Sequence, residues 1–212
     1  MPNPWNNDPP GSEQQIEANI LALGPQFQAD ASSRPVPTIA RAQEWHRAVY
    51  VGVQLPEPYY AGEIRDSDPG VPELFGYEVQ VGGLLGTPSH DVPAELAQLE
   101  TRIQTACAIL DAAVPVDDLP SGDANLQGVI TTCGNVHGEW VRIHPFANGN
   151  GRTARLWALW IGLRYRLPPF IVIKPRPAGQ LYADAAAASM RGDHRLCIRV
   201  FEQMLRAKLG QP

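Results

Sequence analysis

The residues best suited to chemistry lie between positions 144 and 155, where the sequence reads His-Pro-Phe-Ala-Asn-Gly-Asn-Gly-Arg-Thr-Ala-Arg. His144 carries an imidazole, which in its neutral form can accept a proton near neutral pH. Gly149 and Gly151 permit positive φ angles and let a ligand approach the backbone closely. Arg152 and Arg155 stand three residues apart and can neutralise a polyanion. This stretch therefore combines a candidate general base with a candidate phosphate site.

Apolar residues on both sides place the stretch in a loop between two helices. On the upstream side they recur at spacings of seven, four and three, as on one helical face; these are Val129, Val136, Trp140 and Ile143. The pattern predicts a helix that ends near Pro145. Apolar residues from Leu156 to Leu163 predict a second, buried helix that begins at about Asn150 or Gly151.

The start of the second helix is the place where a phosphate is expected to bind. A helix N-terminus presents unpaired N–H groups and a partial positive charge, and both favour an anion. The same charge disfavours cations such as Arg152 and Arg155 by roughly 0.3–1 kcal/mol each. Two cations in this turn therefore indicate that a bound polyanion supplies the missing negative charge.

The composition predicts one globular domain with a short appendage. The chain has 212 residues, of which 44% are apolar, and this is enough for a substantial core. Residues 1–35 are predicted to be an N-terminal appendage. It has a disordered start, rich in Pro and Asn up to Gly11, and then a short helix from Ser12 that Gly24 and Pro25 end. Residues 36–212 form the predicted main domain.

The charge and the cysteine content limit the kinds of binding partner and the cellular compartment that we expect. A net charge of −5 without a stripe of basic residues argues against nucleic-acid binding. No apolar run approaches the ~18 residues of a membrane span, and no signal peptide is recognisable. The three scattered cysteines are expected to be reduced core residues. We expect a cytoplasmic protein that does not bind membranes, with non-classical export as an effector left open.

The remaining patterns predict a mainly α-helical fold with one β-hairpin. Helical spacing of apolar residues marks 39–51, 92–113, 181–190 and 197–209. Residues 59–65 and 77–83 are strand-like, and Asp66 to Gly70 between them is rich in turn-forming residues. These segments predict a hairpin with a long tip. It must pack against the helices, because an isolated hairpin is only marginally stable in water.

The stretch at 144–155 also resembles a family signature. The pattern His-x-Phe-x-(Asp/Glu)-Gly-Asn-Gly-Arg-x-x-Arg is typical of the Fic family, and this sequence matches it at every specified position but one. The likeness runs from about residue 38 to residue 209. Within it, 61–65 resembles the family's flap, 137–146 the helix before the signature and 182–186 a downstream helix. The resemblance implies a Fic-type helical bundle with a small β-hairpin flap.

A Fic-type protein would transfer a nucleotide monophosphate, usually AMP from ATP, to a Ser, Thr or Tyr hydroxyl of a target protein. By this resemblance His144 would be the general base. The residues that would contact the nucleotide phosphates are Asn148, Gly149, Asn150, Gly151, Arg152 and Arg155. Asn150 and the neighbouring amides would hold the α-phosphate. Arg152 would neutralise the phosphates, and Arg155 would reach the terminal phosphate or a regulatory substitute for it.

The implied partners are ATP, Mg²⁺ that bridges its phosphates, and a hydroxyl-bearing target protein. Ile64 and Val79 in the flap would clamp a target segment by strand addition. Self-modification and a homodimer are left open. Tyr182 either helps to form the nucleotide pocket or is an ordinary aromatic residue on a helix face.

Asn148 is the one departure from the signature, which has Asp or Glu there to bind Mg²⁺. An amide oxygen is a neutral and weaker ligand for this hard dication. The family also includes members that transfer UMP, phosphocholine or, in the related Doc toxins, phosphate itself. These reactions remain open, as does a catalytically weak nucleotide-binding regulatory module.

Glu17 is a candidate inhibitory residue. In the family, an inhibitory helix carries a Glu that pairs with the second arginine of the signature, which here is Arg155. The residues around Glu17 do not match that helix, and a solvated Glu on an amphipathic helix is the favoured interpretation.

The histidines outside the signature are assigned structural roles. His137 is predicted to be a hydrogen-bonded structural residue, and His46, His90 and His194 surface or capping residues. Glu63 and Arg65 are either substrate contacts or, more simply, solvated charges at a strand end.

Overall fold

The computed structural model describes residues 4–67 and 71–210 and shows a mainly helical fold with one small β-hairpin, as predicted. The helices of these residues are α1 (Glu13–Ser32), α2 (Ile39–Val49), α3 (Val92–Ala113), α4 (Asp123–Ile143), α5 (Asn150–Arg164), α6 (Gln180–Ser189) and α7 (Arg195–Lys208). Short 3-10 turns lie at Pro58–Tyr60, Pro72–Leu74 and Ser89–Asp91. No helix in the described ranges combines the length and the apolar character that crossing a membrane requires.

Helix α4 lies at the centre of the bundle. It packs against α3, α5, α6 and α7, and α1 and α2 cover the far side of α5. Trp140 of α4 meets Trp157 of α5 at a ring separation of 6.1 Å, and Trp157 meets Trp160 edge to face at 6.0 Å. Burial of such large rings dominates the energetics of a core. These ring contacts hold together the two helices that flank the loop at 144–149.

Helix α1 is longer than predicted, because it continues through Gly24 and Pro25 to Ser32. A proline inside a helix costs about 3 kcal/mol or more. The second half of α1 offsets this cost by its contacts: the Phe27 ring packs edge to face on Trp45 at 5.0 Å, and Asp30 accepts a 2.9 Å hydrogen bond from the indole of Trp160. Tertiary packing thus overrides the local stop signal.

Residues 4–11 pack against the helical core, although their Pro- and Asn-rich composition predicts disorder. Trp5 is 1% exposed, and its ring stacks on Tyr60 at 5.6 Å and meets Tyr50 edge to face at 4.7 Å. The single large aromatic residue anchors a segment that is otherwise polar. Residues 1–3 of the predicted disordered start lie outside the described residues.

The hairpin differs from its predicted position. Strands β1 (Gln80–Val81) and β2 (Leu84–Leu85) are antiparallel, with Gln80 opposite Leu85 and Val81 opposite Leu84. Gly82 and Gly83 between them both have positive φ angles, as a tight hairpin turn requires. The predicted strand at 77–83 therefore runs across a turn.

The predicted partner strand of that hairpin, residues 59–65, consists of a 3-10 turn and loop. Of the expected turn at 66–70, residues 66 and 67 form a turn and 68–70 lie outside the described residues. The three cysteines are buried and unpaired, as predicted.

Candidate active site

His144 stands at the C-terminal end of α4 in the left-handed conformation, with φ 54° and ψ 56°. Its Nδ1–H donates to the carbonyl oxygen of Val141 at 2.8 Å, and this contact assigns the tautomer. The lone pair of Nε2 is therefore the acceptor. Burial lowers the pKa of His144 to about 4, with a further contribution from the charge of Arg65 and an opposing one from the Val141 carbonyl. The imidazole is neutral at physiological pH and can take a proton.

Arg65 holds the backbone around His144. Its guanidinium donates to the carbonyl oxygens of Tyr77, His144, Thr87 and Ile143, at 2.7, 2.9, 3.0 and 3.1 Å. Its own amide donates to the carbonyl of Pro145 at 2.9 Å. The residue is 0% exposed, and burial lowers its pKa to about 10 against the attraction of Glu78. The expectation of a solvated strand-end charge was wrong, because Arg65 ties the hairpin segment to the end of α4.

Asn150 fixes the shape of the loop. Its side-chain oxygen accepts from the backbone N–H of Phe146 at 2.9 Å, and its amide group donates to the Phe146 carbonyl at 2.8 Å. Phe146 is fully buried, so the loop is anchored at its middle. The resemblance assigns Asn150 to the α-phosphate. The structure places both polar ends of its side chain on the loop backbone, which leaves phosphate contact to the surrounding amides.

His46 of α2 supports the same loop from outside, which its assignment as a surface residue did not foresee. Its Nδ1 accepts from the Gly62 amide at 2.9 Å, so Nε2–H donates to the Asn148 carbonyl at 3.0 Å. The ring stacks on Phe146 with centroids 4.0 Å apart. Gly149 has φ 76°, and a Cβ there would lie 2.7 Å from both His46 Nε2 and the Tyr50 hydroxyl. The glycine is needed to admit these two side chains.

Arg152 is paired with a carboxylate from the N-terminal segment. Its two terminal nitrogens donate to the two oxygens of Asp8, at 2.6 Å each, and the guanidinium also donates to the Tyr50 hydroxyl. Lys174 lies 4.0 Å from the same carboxylate. Burial raises the pKa of Tyr50, so its hydroxyl stays protonated. The missing negative charge inferred for this turn is thus supplied in part by the chain itself.

Arg155 is buried without a carboxylate among the described residues. It donates to the carbonyl of Ile173 at 2.9 Å and to the Tyr182 hydroxyl at 3.2 Å. Burial lowers its pKa, and the nearby charges of Arg152 and Arg176 act in the same direction. Among the described residues, the positive charges of this region therefore outnumber the carboxylates that pair with them, which favours an anionic ligand.

Tyr182 connects Arg155 to His137. Its hydroxyl lies 2.9 Å from His137 Nε2, and burial lowers the pKa of that histidine to about 3. The neutral His137 accepts a hydrogen bond from the Tyr182 hydroxyl, and the Tyr182 oxygen accepts one from Arg155. His137 thus occupies the hydrogen-bonded structural position that the sequence predicts, and Tyr182 orients an arginine of the site.

Asn148 does not provide a metal ligand in this arrangement. Its side-chain oxygen accepts from the Gly149 amide at 2.6 Å. The described residues contain no group of three or more His, Cys, Asp or Glu side chains that could hold a metal ion. The donor set therefore does not fit a magnesium ion held by the protein. Any ion at this site would arrive with the phosphates as part of the substrate.

Three other predicted site residues, Glu17, Ile64 and Val79, make none of the contacts described above for Arg152 and Arg155. Glu17 is exposed on α1, and the contacts of Arg155 in the described part of the chain do not include it. Ile64 and Val79 are both buried. The exposed apolar side chains of the hairpin are those of Val81 and Leu85.

The sequence does not reveal the roles of Asp8, Tyr50 and Lys174, and the roles expected of His46 and Arg65 differ from those in the structure. His46 lies on α2 and Tyr50 caps its C-terminal end four residues later, so this spacing was the available signal. Asp8 offers none, because an isolated charge in a loop segment does not reveal its partner.

The fold and the site together define a helical domain in which a neutral histidine and two arginines flank the loop between α4 and α5. The model of the Fic/DOC family matches residues 37–161, more than half of the chain. The chain therefore belongs to the Fic/DOC family. No curated protein matches it.

Solved structures with the same fold cover nearly the whole chain. The BepC effector of Bartonella tribocorum, which has AMPPNP bound, is 17% identical with a TM-score of 0.61, and the match covers 93% of this chain and 87% of BepC. A Fic-domain signalling protein of Bacteroides thetaiotaomicron is 19% identical with a TM-score of 0.53, and the match covers 98% of this chain and 76% of that protein.

Fic-1 of Caenorhabditis elegans (residues 134–508) is 23% identical with a TM-score of 0.60, over 92% of this chain. The chain spans about half of that protein's length, 48%. At these identities the likeness establishes the fold.

Proposed function

We propose that this protein transfers AMP from ATP to a Ser, Thr or Tyr hydroxyl of a target protein. The observation that carries the proposal is the acceptor Nε2 of His144, which has no hydrogen-bond partner among the described residues and lies at the start of the loop that leads into α5 with Arg152 and Arg155. The signature loop supports it, as do the nucleotides bound to Fic-type proteins of the same fold: AMPPNP in BepC and ADP in a Bartonella quintana protein.

The chemistry follows from the placement of these groups. His144 Nε2 accepts the proton of the target hydroxyl while the hydroxyl oxygen attacks the α-phosphorus. The bond from that phosphorus to the oxygen of the β-phosphate breaks, and pyrophosphate leaves. Amides at the start of α5 and the arginine cradle stabilise the charge that develops on the phosphates. The negative charge of bound ATP would also raise the pKa of His144 from its low value and make it a stronger base.

ATP enters this scheme as its Mg²⁺ complex, in which the phosphates hold the ion. The chain has an amide at position 148 and offers no carboxylate there. We therefore expect affinity for nucleotide to depend more on the arginines and less on the metal than in proteins with the acidic signature residue.

The target segment would align along the hairpin. Strands β1 and β2 form a two-stranded sheet, so each has an edge whose backbone groups can pair with an added strand. Val81 and Leu85 present apolar side chains there, with Leu85 70% exposed. Under this proposal the target would dock on Val81 and Leu85, and not on the buried Ile64 and Val79.

Two labels of ATP test the transferred group. The protein is incubated with Mg²⁺ and ATP labelled at the α- or the γ-phosphate, in the presence of a cell extract as a source of targets. Protein-bound label from the α-position alone, absent with His144→Ala, supports AMP transfer. Label from the γ-position alone would show that the protein transfers phosphate and not AMP. A parallel incubation with α-labelled UTP checks for UMP transfer.

A nucleotide-binding regulatory module is the second candidate, because Asn148 replaces an acid and Asp8 already occupies Arg152. Nucleotide binding without transfer of label from any position would favour it.

A further inference from the structure

The carboxylate of Asp8 marks the position of an anion within the site. Carboxylate and phosphate oxygens make the same forked, two-bond contact with a guanidinium. Asp8 makes this contact with Arg152 through both oxygens, at 2.6 Å each. An oxygen of a bound phosphate would find the same two donors.

Two further groups converge on the same point. The Nζ of Lys174 lies 4.0 Å from an Asp8 oxygen, and the Tyr50 hydroxyl accepts a hydrogen bond from Arg152. The side chains of Arg152, Lys174 and Asp8 are only 14%, 15% and 19% exposed. Because the charges are largely withdrawn from water, their interactions are screened less than those of a surface ion pair.

The segment that carries Asp8 is held by the Asp8 ion pair and by Trp5. Trp5 stacks on Tyr60, and its amide donates to the Tyr77 hydroxyl at 3.2 Å. Yet the indole Nε1–H of Trp5 is buried without a hydrogen-bond partner among the described residues. An unpaired buried donor opposes the docking of the segment. This cost offsets part of the free energy gained by burying the Trp5 ring.

We propose that Arg152, Lys174 and Tyr50 form one phosphate subsite, that Asp8 occupies it in the absence of nucleotide, and that the phosphate tail of the substrate displaces Asp8 and its segment. Residues 4–11 then act as a built-in competitor whose removal raises nucleotide affinity. This proposal rests on the proposed function for the identity of the ligand as a nucleotide. It adds Lys174 to the phosphate-binding residues and gives the N-terminal segment a regulatory role.

The competition predicts opposite effects for the two charged partners. The apparent affinity for ATP is the intrinsic affinity multiplied by the fraction of molecules whose phosphate subsite is free. A variant that releases Asp8 should therefore bind ATP more tightly. We expect Asp8→Asn to lower the Kd for ATP about tenfold and to leave the affinity for uncharged adenosine unchanged. In the Asp8→Asn background, Lys174→Gln should raise the Kd for ATP about fivefold. Glu202→Gln, which removes the carboxylate of an Arg206 ion pair on α7, is the matched control and should change neither.

Displacement can also be measured without a variant. Amide hydrogen exchange of residues 4–11 in the wild-type protein should speed up on addition of ATP and stay the same on addition of adenosine. Unchanged exchange with saturating ATP, or an ATP affinity of Asp8→Asn equal to that of wild type, would overturn the proposal. An equal gain for adenosine would also overturn it, because the segment would then cover the base and not the phosphates.

These binding measurements are independent of group transfer. If Asp8→Asn tightens ATP binding but no label is transferred, the proposed function fails and the phosphate subsite stands. If label is transferred and Asp8→Asn leaves binding unchanged, the proposed function stands and the competition is refuted.

Discussion

At the scale of single residues, the site depends on keeping His144 neutral and correctly oriented. The Val141 carbonyl fixes the proton on Nδ1, and burial disfavours the charged ring. Around it, Asn150 and His46 spend their hydrogen bonds on the loop backbone. The signature thus encodes a rigid loop as much as a set of ligand contacts.

The low pKa of His144 predicts the acid limb of the pH profile. The ring is a competent base above its pKa of about 4 and is blocked by protonation below it. We expect kcat/KM for ATP to stay level from about pH 8 down to about pH 5.5 and to fall only at lower pH, because this parameter reports the enzyme without bound nucleotide. Circular dichroism at each pH checks that the fold persists. A fall centred near pH 6.5 would show that His144 is unshifted or that another group is the base.

Replacing Asn150 by Asp changes the charge of the side chain but hardly its shape, and we expect this to destabilise the loop. Asn150→Asp keeps the acceptor for the Phe146 amide but removes the donor to the Phe146 carbonyl, and it buries a carboxylate at the loop. We expect a loss of about 1–3 kcal/mol in the free energy of unfolding, measured by urea denaturation. Asn125→Asp, near the start of α4, loses only a solvent-exposed hydrogen bond to the Ser121 carbonyl and should change it by less than about 0.5 kcal/mol. Equal losses for both would contradict a fixing role for Asn150.

At the scale of elements, Arg65 couples the hairpin segment to the end of α4. Lysine cannot reproduce four hydrogen bonds to four carbonyl oxygens, because its ammonium has only three donors at one point. Arg65→Lys should lower the free energy of unfolding by about 2–4 kcal/mol and reduce transfer through displacement of His144. The control is Arg102→Lys, whose surface ion pair with Glu139 contributes little. A melting temperature for Arg65→Lys equal to that of the control would refute the coupling.

The hairpin makes a second prediction, which concerns the target. Leu85→Lys should reduce label on the main target protein severalfold and leave the Kd for ATP unchanged, since Leu85 is 70% exposed and lies in a strand of the hairpin, outside the 144–155 stretch. Ile109→Lys on α3 is the matched control, because Ile109 is an equally exposed apolar residue. Equal labelling of the target by all three proteins would remove the hairpin from target docking.

The helices were predictable and the connections were not. Periodic apolar spacing located α3 at Val92–Ala113 and the two helices around the signature, since burial of one face determines both the pattern and the fold. The predicted position of the hairpin was wrong, because Gly82 and Gly83 place a turn inside a strand-like run. The predicted end of α1 was wrong, because the packing of Phe27 outweighs the helix-breaking effect of Pro25. The signature was enough to locate His144, Arg152 and Arg155. Asp8 could not, because its partner Arg152 lies 144 residues away in the chain.

At the scale of the whole molecule, buried histidines should make the fold sensitive to acid. Burial lowers the pKa of His46 and His137 to about 3 and that of His144 to about 4. The unfolded chain binds protons on these residues below about pH 6.5, whereas the native protein does not. Stability is therefore present in full above pH 6.5 and is lost as pH falls from there toward 3 or 4.

His137→Gln tests this dependence. Each such histidine contributes up to about 1.4 kcal/mol per pH unit in this window, so the variant should show a shallower loss of unfolding free energy between pH 7 and pH 5. Urea titrations at several pH values measure the slope. His90→Gln, at an exposed position, should keep the wild-type slope. A His137→Gln slope as steep as that of wild type would contradict the role assigned to the buried histidine.

In the proposed reaction His144 takes the proton in a transfer from a nucleotide held by the rest of the site. Transfer of α-label and the Kd for ATP should be measured side by side in wild type and His144→Ala. We expect transfer to fall by about 10²-fold or more while the Kd changes by less than about threefold. Transfer that survives the loss of His144, in a protein that still binds ATP, would show that another group is the base.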